Sequence, residues 1–556
     1  MSLNPSTQSN SAVDVIDGTV SEFYNLVDQC IRKSEVMPGQ YKNITSPSYS
    51  NNCPVDEGSF TTIDVGCPSP NIVDIDNSFI TAVFKVKVNF PGNVFKDAQN
   101  GSTFFIGWRS SLDILERYII YCNHKPVYDQ VYVGEESFIL QSLIPEHVRC
   151  RKPYQYTTYD NASSFSPDVC GTYISINAHN QGTAIANAFE VEVEIPIKLD
   201  INQFLLFTNF KYLPGFCGTW SIKLYPNVKN MIICPVNPLK CLNETYKLKL
   251  LAAGVDLTDY THNFVQIGDK LKCFTSANYT ANSEAVTFTP NIQITVGKCR
   301  LEKCMYHQTQ FELMYDVYDA LKARYMNRPL TIPVNKLDFG RFAGSMVKNS
   351  STYTAAVSNV ESIFILPFVD DNHHTICFNP EFEGFYLSIS GFGNYPQQTI
   401  NTFGNDETHT RFVNMTLDAL NINNSLIMAP NKDLLNSLET KKIERYKYYY
   451  KTADSVNAYT ADTDNITPLH DISNFLIGIP FSNDIDFQGG LTSNGNINIK
   501  LATTNNKINS VSNKYTNNAT TEIGATIMFC TDCALMIKVI PYSDQPECRL
   551  VTERIV

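Results

Sequence analysis

The spacing that most invites chemistry is Cys530-Thr531-Asp532-Cys533, the CxxC pair of the chain. Two thiols so placed can hold a metal or cycle through a disulfide, but a zinc ribbon needs a second pair at matching spacing. None follows, and the surrounding run is apolar and strand-like, so both residues are expected to be core thiols. Cys299 and Cys304 have no better support as ligands. His373-His374 with Cys377 supplies metal-binding types, yet neighbouring residues on a strand point to opposite faces and share one ion poorly. A solvated loop is the simpler reading. Gly391-Phe392-Gly393-Asn394-Tyr395-Pro396 lacks the third glycine and the following helix that hold a pyrophosphate, and reads as a turn. Gly-x-Ser-x-Gly, His-Glu-x-x-His and Walker A patterns are missing. No catalytic, metal or cofactor-binding residue is assigned; the expectation is a chain that is not an enzyme and carries no cofactor.

One segment mixes basic and aromatic residues, Lys441-Lys442-Ile443-Glu444-Arg445-Tyr446-Lys447 with Tyr448 to Tyr450. It is either a solvated helix face or a local contact with DNA or an acidic partner. The net charge of -12 argues against wrapping nucleic acid, which needs clustered Lys and Arg to release counterions. Any DNA contact is therefore expected to be local or indirect. The start, Met1-Ser2-Leu3-Asn4-Pro5, lacks a signal-peptide pattern, and no apolar run approaches the ~18 residues of a membrane span. The 16 cysteines show no short repeated spacing, which predicts reduced, mostly buried thiols in a protein that is not secreted. Asn-x-Ser/Thr triplets such as Asn43-Ile44-Thr45 and Asn414-Met415-Thr416 follow from an Asn-rich composition.

Positioning any of these residues falls to elements that the patterning makes mostly β. At 556 residues the chain exceeds one hydrophobic core, and 12% aromatic with 18% charged residues favours sheets. The first signal is helical: Phe23, Leu26, Val27, Cys30 and Ile31 form an i, i+3, i+4, i+7, i+8 stripe. Two readings stand for it, a helix packed on its own domain or an arm that docks on a neighbouring subunit. From residue 79 the period becomes two, with Ile80, Ala82, Phe84, Val86 and Val88 on one face and Thr81, Lys85, Lys87 and Asn89 on the other. The segment Phe104 to Leu140 reads as strand, turn, strand around Asn123-His124-Lys125-Pro126. Val191, Val193 and Ile195 alternate with Glu190, Glu192 and Glu194. Ile292, Ile294 and Val296 restart the alternation and are expected to open a second β domain. That domain holds one helix, with Phe311, Met314, Tyr318, Leu321 and Tyr325 at helical spacing. Strands are expected at Ser362 to Pro367, Phe385 to Ile389, Phe475 to Pro480, Ile497 to Leu501 and Ala525 to Phe529. Thr503 to Thr521 is expected to be a long surface loop.

The halves also echo one another. Ile195-Pro196 leads through Leu213 to Ile222-Lys223-Leu224, as Ile479-Pro480 leads through Leu491 to Ile499-Lys500-Leu501. Phe84 to Val88 and Ile292 to Val296 look like matching opening strands. A duplicated sandwich is the reading this order favours.

Several runs resemble the major capsid proteins of Polintons (Mavericks) and related virophages. In the first half these are Phe105-Ile106-Gly107-Trp108-Arg109-Ser110-Ser111-Leu112, Tyr118-Ile119-Ile120-Tyr121-Cys122-Asn123 and Gly134-Glu135-Glu136-Ser137-Phe138-Ile139. In the second they are Arg328-Pro329-Leu330-Thr331-Ile332-Pro333, Asn394-Tyr395-Pro396 with Thr402, and Ile479-Pro480 followed by Phe487-Gln488-Gly489-Gly490-Leu491. The resemblance spans roughly 71 to 543. It implies an all-β chain of two consecutive eight-stranded antiparallel jelly rolls with a few short helices. The expected layout is an N-terminal arm over 1–70, a first roll over 71–235, a connector over 236–284, a second roll over 285–543 and a tail over 544–556. It further implies a hexon-type structural protein that forms homotrimers, pseudo-hexagonal capsomers and an icosahedral shell around double-stranded DNA. A separate single jelly-roll penton protein is the implied partner and the virion the implied location, reached by assembly inside the host cell. In such a shell Phe23, Leu26, Val27, Cys30 and Ile31 become candidate inter-capsomer contacts. The alternative is a jelly-roll carbohydrate-binding module or surface adhesin, for which export and disulfides would be needed.

Overall fold

The structure, a computed structural model, describes residues 21–29, 40–47, 54–90, 103–108, 110–143, 171–175, 189–235, 265–266, 271–273, 278–281, 284–287, 292–326, 329–342, 350–368, 382–402, 407–420, 449–451, 459–461, 475–481, 490–493, 496–502, 505–506, 524–540 and 546–551. The first sandwich is built from β1 (Gln40–Pro47), β2 (Thr61–Asp64), β3 (Asn71–Phe90), β4 (Leu115–Cys122), β5 (Lys125–Gln130), β6 (Phe189–Asp200), β7 (Trp220–Pro226) and β8 (Ile292–Glu312). The second uses β9 (Leu330–Arg341), β10 (Ser350–Ala356), β11 (Val360–Phe368), β12 (Phe385–Ile389), β13 (Gly393–Ile400), β14 (Ile477–Pro480), β15 (Asn496–Ala502) and β16 (Gly524–Lys538).

One sheet of the first sandwich runs β1-β8-β3-β6 and the other β2-β7-β4-β5. In the second sandwich the orders are β9-β16-β11-β14 and β10-β15-β12-β13. Adding eight to each label of the first pair gives the second. Neighbouring strands in these orders pair antiparallel, and the last strand of each set lies between the first and the third, which is the connectivity of a jelly roll. The chain is a double jelly roll.

Period-two patterning explains why these segments are strands and which face is inward. Along β3, Ile80, Ala82, Phe84, Val86 and Val88 are all buried, and so are Val193, Ile195, Ile197 and Leu199 of β6 beside them. Charges fill the outer face: Lys85 stands opposite Glu194 in register and pairs with it at 2.6 Å, and with Glu302 of β8 at 3.0 Å. Cross-strand pairs of this kind each add roughly 0.2–1 kcal/mol in general. The first core is finished by large aromatics, with Phe84 edge-on to Trp108 at 4.6 Å and Trp220 between Phe207 at 5.8 Å and Phe210 at 6.1 Å. The five strand segments expected between Ser362 and Phe529 all lie in β11, β12, β14, β15 and β16 or reach into them.

The duplication is visible where the sequence echo placed it. Ile195 of β6 pairs with Phe84 of β3, and Ile479 of β14 pairs with Ile363 of β11 at the equivalent place. Ile222 of β7 faces Ile120 of β4 as Ile499 of β15 faces Ile389 of β12.

The pairings and helix bounds depart from several expectations. Ile292 to Val296 does not open the second domain: β8 pairs along β3, with Val296 against Val88 and Leu301 against Phe84, so it closes the first sandwich. Alternation identifies a strand but not its partner, and here the two look-alike segments are neighbours rather than repeats. Ahead of residue 71, β1 pairs with β8 and β2 with β7 of the same sandwich. Within the expected connector, Val265–Gln266 pairs with Ile232–Pro235 and Leu271–Cys273 with β8. Residues Val133–Leu143 form helix α2 instead of a strand, so Phe138 and Ile139 are helical, while the turn at Asn123-His124 is as expected, with φ of 49° and 63° suited to a two-residue hairpin. The helix between the sandwiches, α3 (Tyr315–Met326), starts after Met314, which is exposed, and Phe311 belongs to β8.

Candidate functional site

The junction between the sandwiches is the place where residues from distant parts of the chain converge. Residues 21–29 form helix α1, whose apolar face is used inside the chain. Phe23 and Val27 are both 0% exposed, and Phe23 meets Tyr325 of α3 edge-on at 5.2 Å. The polar side of α1 is tied as firmly. Tyr24 donates its hydroxyl to the Asn209 carbonyl at 2.9 Å, and Asp28 accepts from Lys211 at 2.8 Å and from Tyr212 at 2.7 Å. Glu22 forms an ion pair with Arg324 of α3. One short helix thus clamps the Asn209–Tyr212 stretch of the first sandwich to the helix that leads into the second.

These contacts bear on the two readings of the stripe. A short amphipathic helix is marginal alone and needs a surface for its apolar face. Phe23 and Val27 find such a surface in their own chain, which favours a helix packed on its own domain over an inter-capsomer contact. Leu26 is half-buried against the same core, and Cys30 and Ile31 lie outside the described residues.

Further ties cross the junction. The Asn209 carboxamide donates to the Pro333 carbonyl of β9 at 2.9 Å, and the Tyr132 and Phe339 rings lie 5.2 Å apart. Tyr318 of α3 shares a hydrogen bond with Ser69 at 2.8 Å and sits against Phe216 at 5.5 Å. The two blocks are therefore held at a set angle by aromatic packing and short polar bridges.

The motif residues that carried the family resemblance come together in the first sandwich as packing. Trp108 and Leu112 are buried, and the Ser110 hydroxyl accepts from the Leu112 amide to cap a single turn. Tyr118 of β4 donates to Glu136 of α2 at 2.6 Å and accepts from the Leu205 amide at 3.3 Å. Burial pushes the Glu136 carboxyl up to about 8, while the Tyr118 hydrogen bond works against that rise. Its second oxygen, Oε2, has no hydrogen-bond partner among the described residues. Gly134 opens the same helix because a Cβ there would lie 2.6 Å from the Asn230 carboxamide. In the sequence Glu136 stands beside Glu135 and Ser137, and no local pattern marks it as a core residue.

The residues singled out for chemistry are dispersed. Cys530 and Cys533 are three apart on β16, so they point to opposite faces and do not chelate one ion between them. Burial raises both thiols, Cys533 to about 12. Cys299 and Cys304 are buried in β8. Gly391 and Gly393, with φ of 89° and 92°, make the tight connection from β12 to β13. His373, His374, Cys377, Lys441 to Tyr448 and Lys507 to Thr521 lie outside the described residues, and Tyr449–Lys451 is a short strand. Among the described residues no helix is long and apolar enough to cross a membrane.

With this geometry in hand, the chain can be set beside known proteins. No protein-family model matches it, and no curated protein sequence does. Solved structures do. The chain is similar to viral capsid proteins. The Sputnik virophage structure from cryo-EM aligns with 93% of this chain and 89% of its own at 10% identity, with a TM-score of 0.47. The mavirus major capsid protein aligns with 92% and 90% at 11% identity, TM-score 0.42. The Faustovirus major capsid protein aligns with 95% and 99% at 9% identity, TM-score 0.36.

Proposed function

We propose that the chain is a major capsid protein of the hexon type, whose work is association rather than catalysis. The observation that carries this reading is the repetition of one jelly-roll strand order in both halves of the chain. Each copy supplies two similar blocks, so three copies around a three-fold axis place six blocks in a ring and form a pseudo-hexagonal capsomer. Fixing the angle between the blocks is what such a ring requires, and α1, α3 and the Asn209–Pro333 bridge fix it.

On this reading capsomers tile an icosahedral shell around double-stranded DNA, with a separate single jelly-roll protein at the vertices. The protein then resides in the virion and assembles inside the host cell. A net charge of -12 suits a wall whose contact with DNA is local or indirect. Negative-stain microscopy of the purified full-length chain tests the proposal. Particles with a hexagonal outline and a three-fold average support it; single elongated two-lobed particles across the micromolar range contradict it.

A further inference from the structure

We propose that Cys122 and Cys548 are a disulfide-forming pair that staples the C-terminal strand to the first sandwich when the chain meets a small-molecule disulfide. The two sulfurs lie 2.8 Å apart although the residues are separated by 426 positions. Cys122 ends β4 and is buried; Cys548 lies half-buried in the strand Glu547–Val551. That strand pairs with β16 of the second sandwich, Cys548 standing opposite Ile537. A bond between the sulfurs would therefore join the two jelly rolls covalently.

Contacts independent of the sulfurs put them in place. Asn123, at the β4–β5 turn, donates to the Pro546 carbonyl at 2.7 Å and accepts from the Thr219 amide at 3.0 Å. Gly218, with φ of 94°, leaves room for this approach: a Cβ there would come within 2.9 Å of Pro546 Cγ and 2.7 Å of Asn123 Oδ1. Asn123, Gly218 and Thr219 thus form a seat for Pro546, and the seat delivers Cys548 to Cys122. Pre-positioned groups react as if at high local concentration, because the entropy of bringing them together is already met by the fold. The contrast with Cys530 and Cys533, on opposite faces of one strand, shows what an unpositioned pair looks like.

The contact with Cys548 and burial both raise the Cys122 thiol. Exchange then begins at the more accessible Cys548. Its thiolate attacks a disulfide R–S–S–R, forming Cys548–S–S–R and releasing R–S⁻. Cys122 loses its proton to solvent and attacks Cys548 Sγ; the S–S bond to R breaks and a second R–S⁻ leaves. Two protein thiols are oxidised, one R–S–S–R is reduced to two R–SH, and the two protons pass to the leaving thiolates. Cys217 is the competing neighbour, but it is fully buried, and its carbonyl lies 3.9 Å from the Cys122 sulfur.

Purified full-length chain would be incubated with oxidised glutathione, alkylated, digested without reductant and mapped by mass spectrometry, alongside Cys548→Ser. The expected result is a cross-linked peptide pair joining Cys122 to Cys548, absent from the variant, with an apparent Tm raised on the order of 5 °C in the oxidised wild type alone. Recovery of both cysteines alkylated, a glutathione adduct left on Cys548, or a Cys217–Cys548 link would overturn the pairing. A Cys122–Cys548 link without a rise in Tm would overturn the staple.

Discussion

The two jelly rolls share a strand order and differ in almost everything laid over it. In the first, β3 is 20 residues long and β8 is 21, and they run beside each other through three breaks in register. In the second, the equivalent strands β11 and β16 are 9 and 15 residues long. Both buried tryptophans and the buried Glu136 belong to the first core, whereas at the position equivalent to Trp220 the second has Ile497. The difference teaches that connectivity and inward-facing alternation define the roll, and that the particular side chains filling it are free to diverge.

The largest expected effect lies at that equivalent pair. Trp220→Ala empties a site ringed by Phe207 and Phe210 and removes the indole donor to the Cys217 carbonyl; large-to-small changes of this kind cost about 3–5 kcal/mol. Ile497→Ala should cost less, roughly 2–3 kcal/mol, since it removes fewer atoms from a site that is 7% exposed. Chemical denaturation followed by intrinsic fluorescence and circular dichroism would rank them, and the reverse order would undo the claim that the first core depends more on its aromatics.

Next in size is Phe23→Ala. If α1 is a clamp inside each chain, the change costs about 3 kcal/mol and lowers the Tm of the isolated protein. If α1 is an arm for a neighbour, the same variant would melt with the wild type and fail only in assembly. Calorimetry on the unassembled chain separates the two.

Glu136 gives a pH signature. Its folded carboxyl sits near 8 against an ordinary 4.5, so between these values the folded state keeps a proton that the unfolded state has released. Stability is then full below about 4.5, declines by a few kcal/mol as pH rises to 8, and levels off above it. Glu136→Gln should flatten that decline while keeping the Tyr118 hydrogen bond. Equal slopes for wild type and variant across this window would show that the carboxyl is ionised in the fold.

The smallest effect is on the outer face of β3. Lys85→Ala removes the ion pairs to Glu194 and Glu302, and solvent-screened pairs on an outer face should move Tm by no more than about 2 °C, less at high salt. A larger drop would mean that the face is covered in the assembled protein used for the measurement.

What was legible in the sequence was whatever local pattern encodes. The inward faces of β3 and β6, the Asn123-His124 turn and the paired echo of β6–β7 with β14–β15 could be read because each lies within a short window. Partner choice could not: Ile292 to Val296 has the same alternation whether it opens one roll or closes the other, and only the long-range register with Val88 and Phe84 decides. Helix α2 escaped because Phe138 and Ile139 are adjacent rather than spaced along one face. The stripe of α1 was legible, but the surface it meets is built from Tyr325 and the Asn209–Tyr212 stretch, far along the chain. The junction escaped for the same reason, Asn209 and Pro333 being 124 positions apart.

The central claim, that this duplicated roll is one third of a capsomer, is tested most directly by light scattering coupled to size exclusion on the full-length chain at micromolar concentration. The account predicts one species at three times 62.6 kDa that persists on dilution. A species at 62.6 kDa would contradict it.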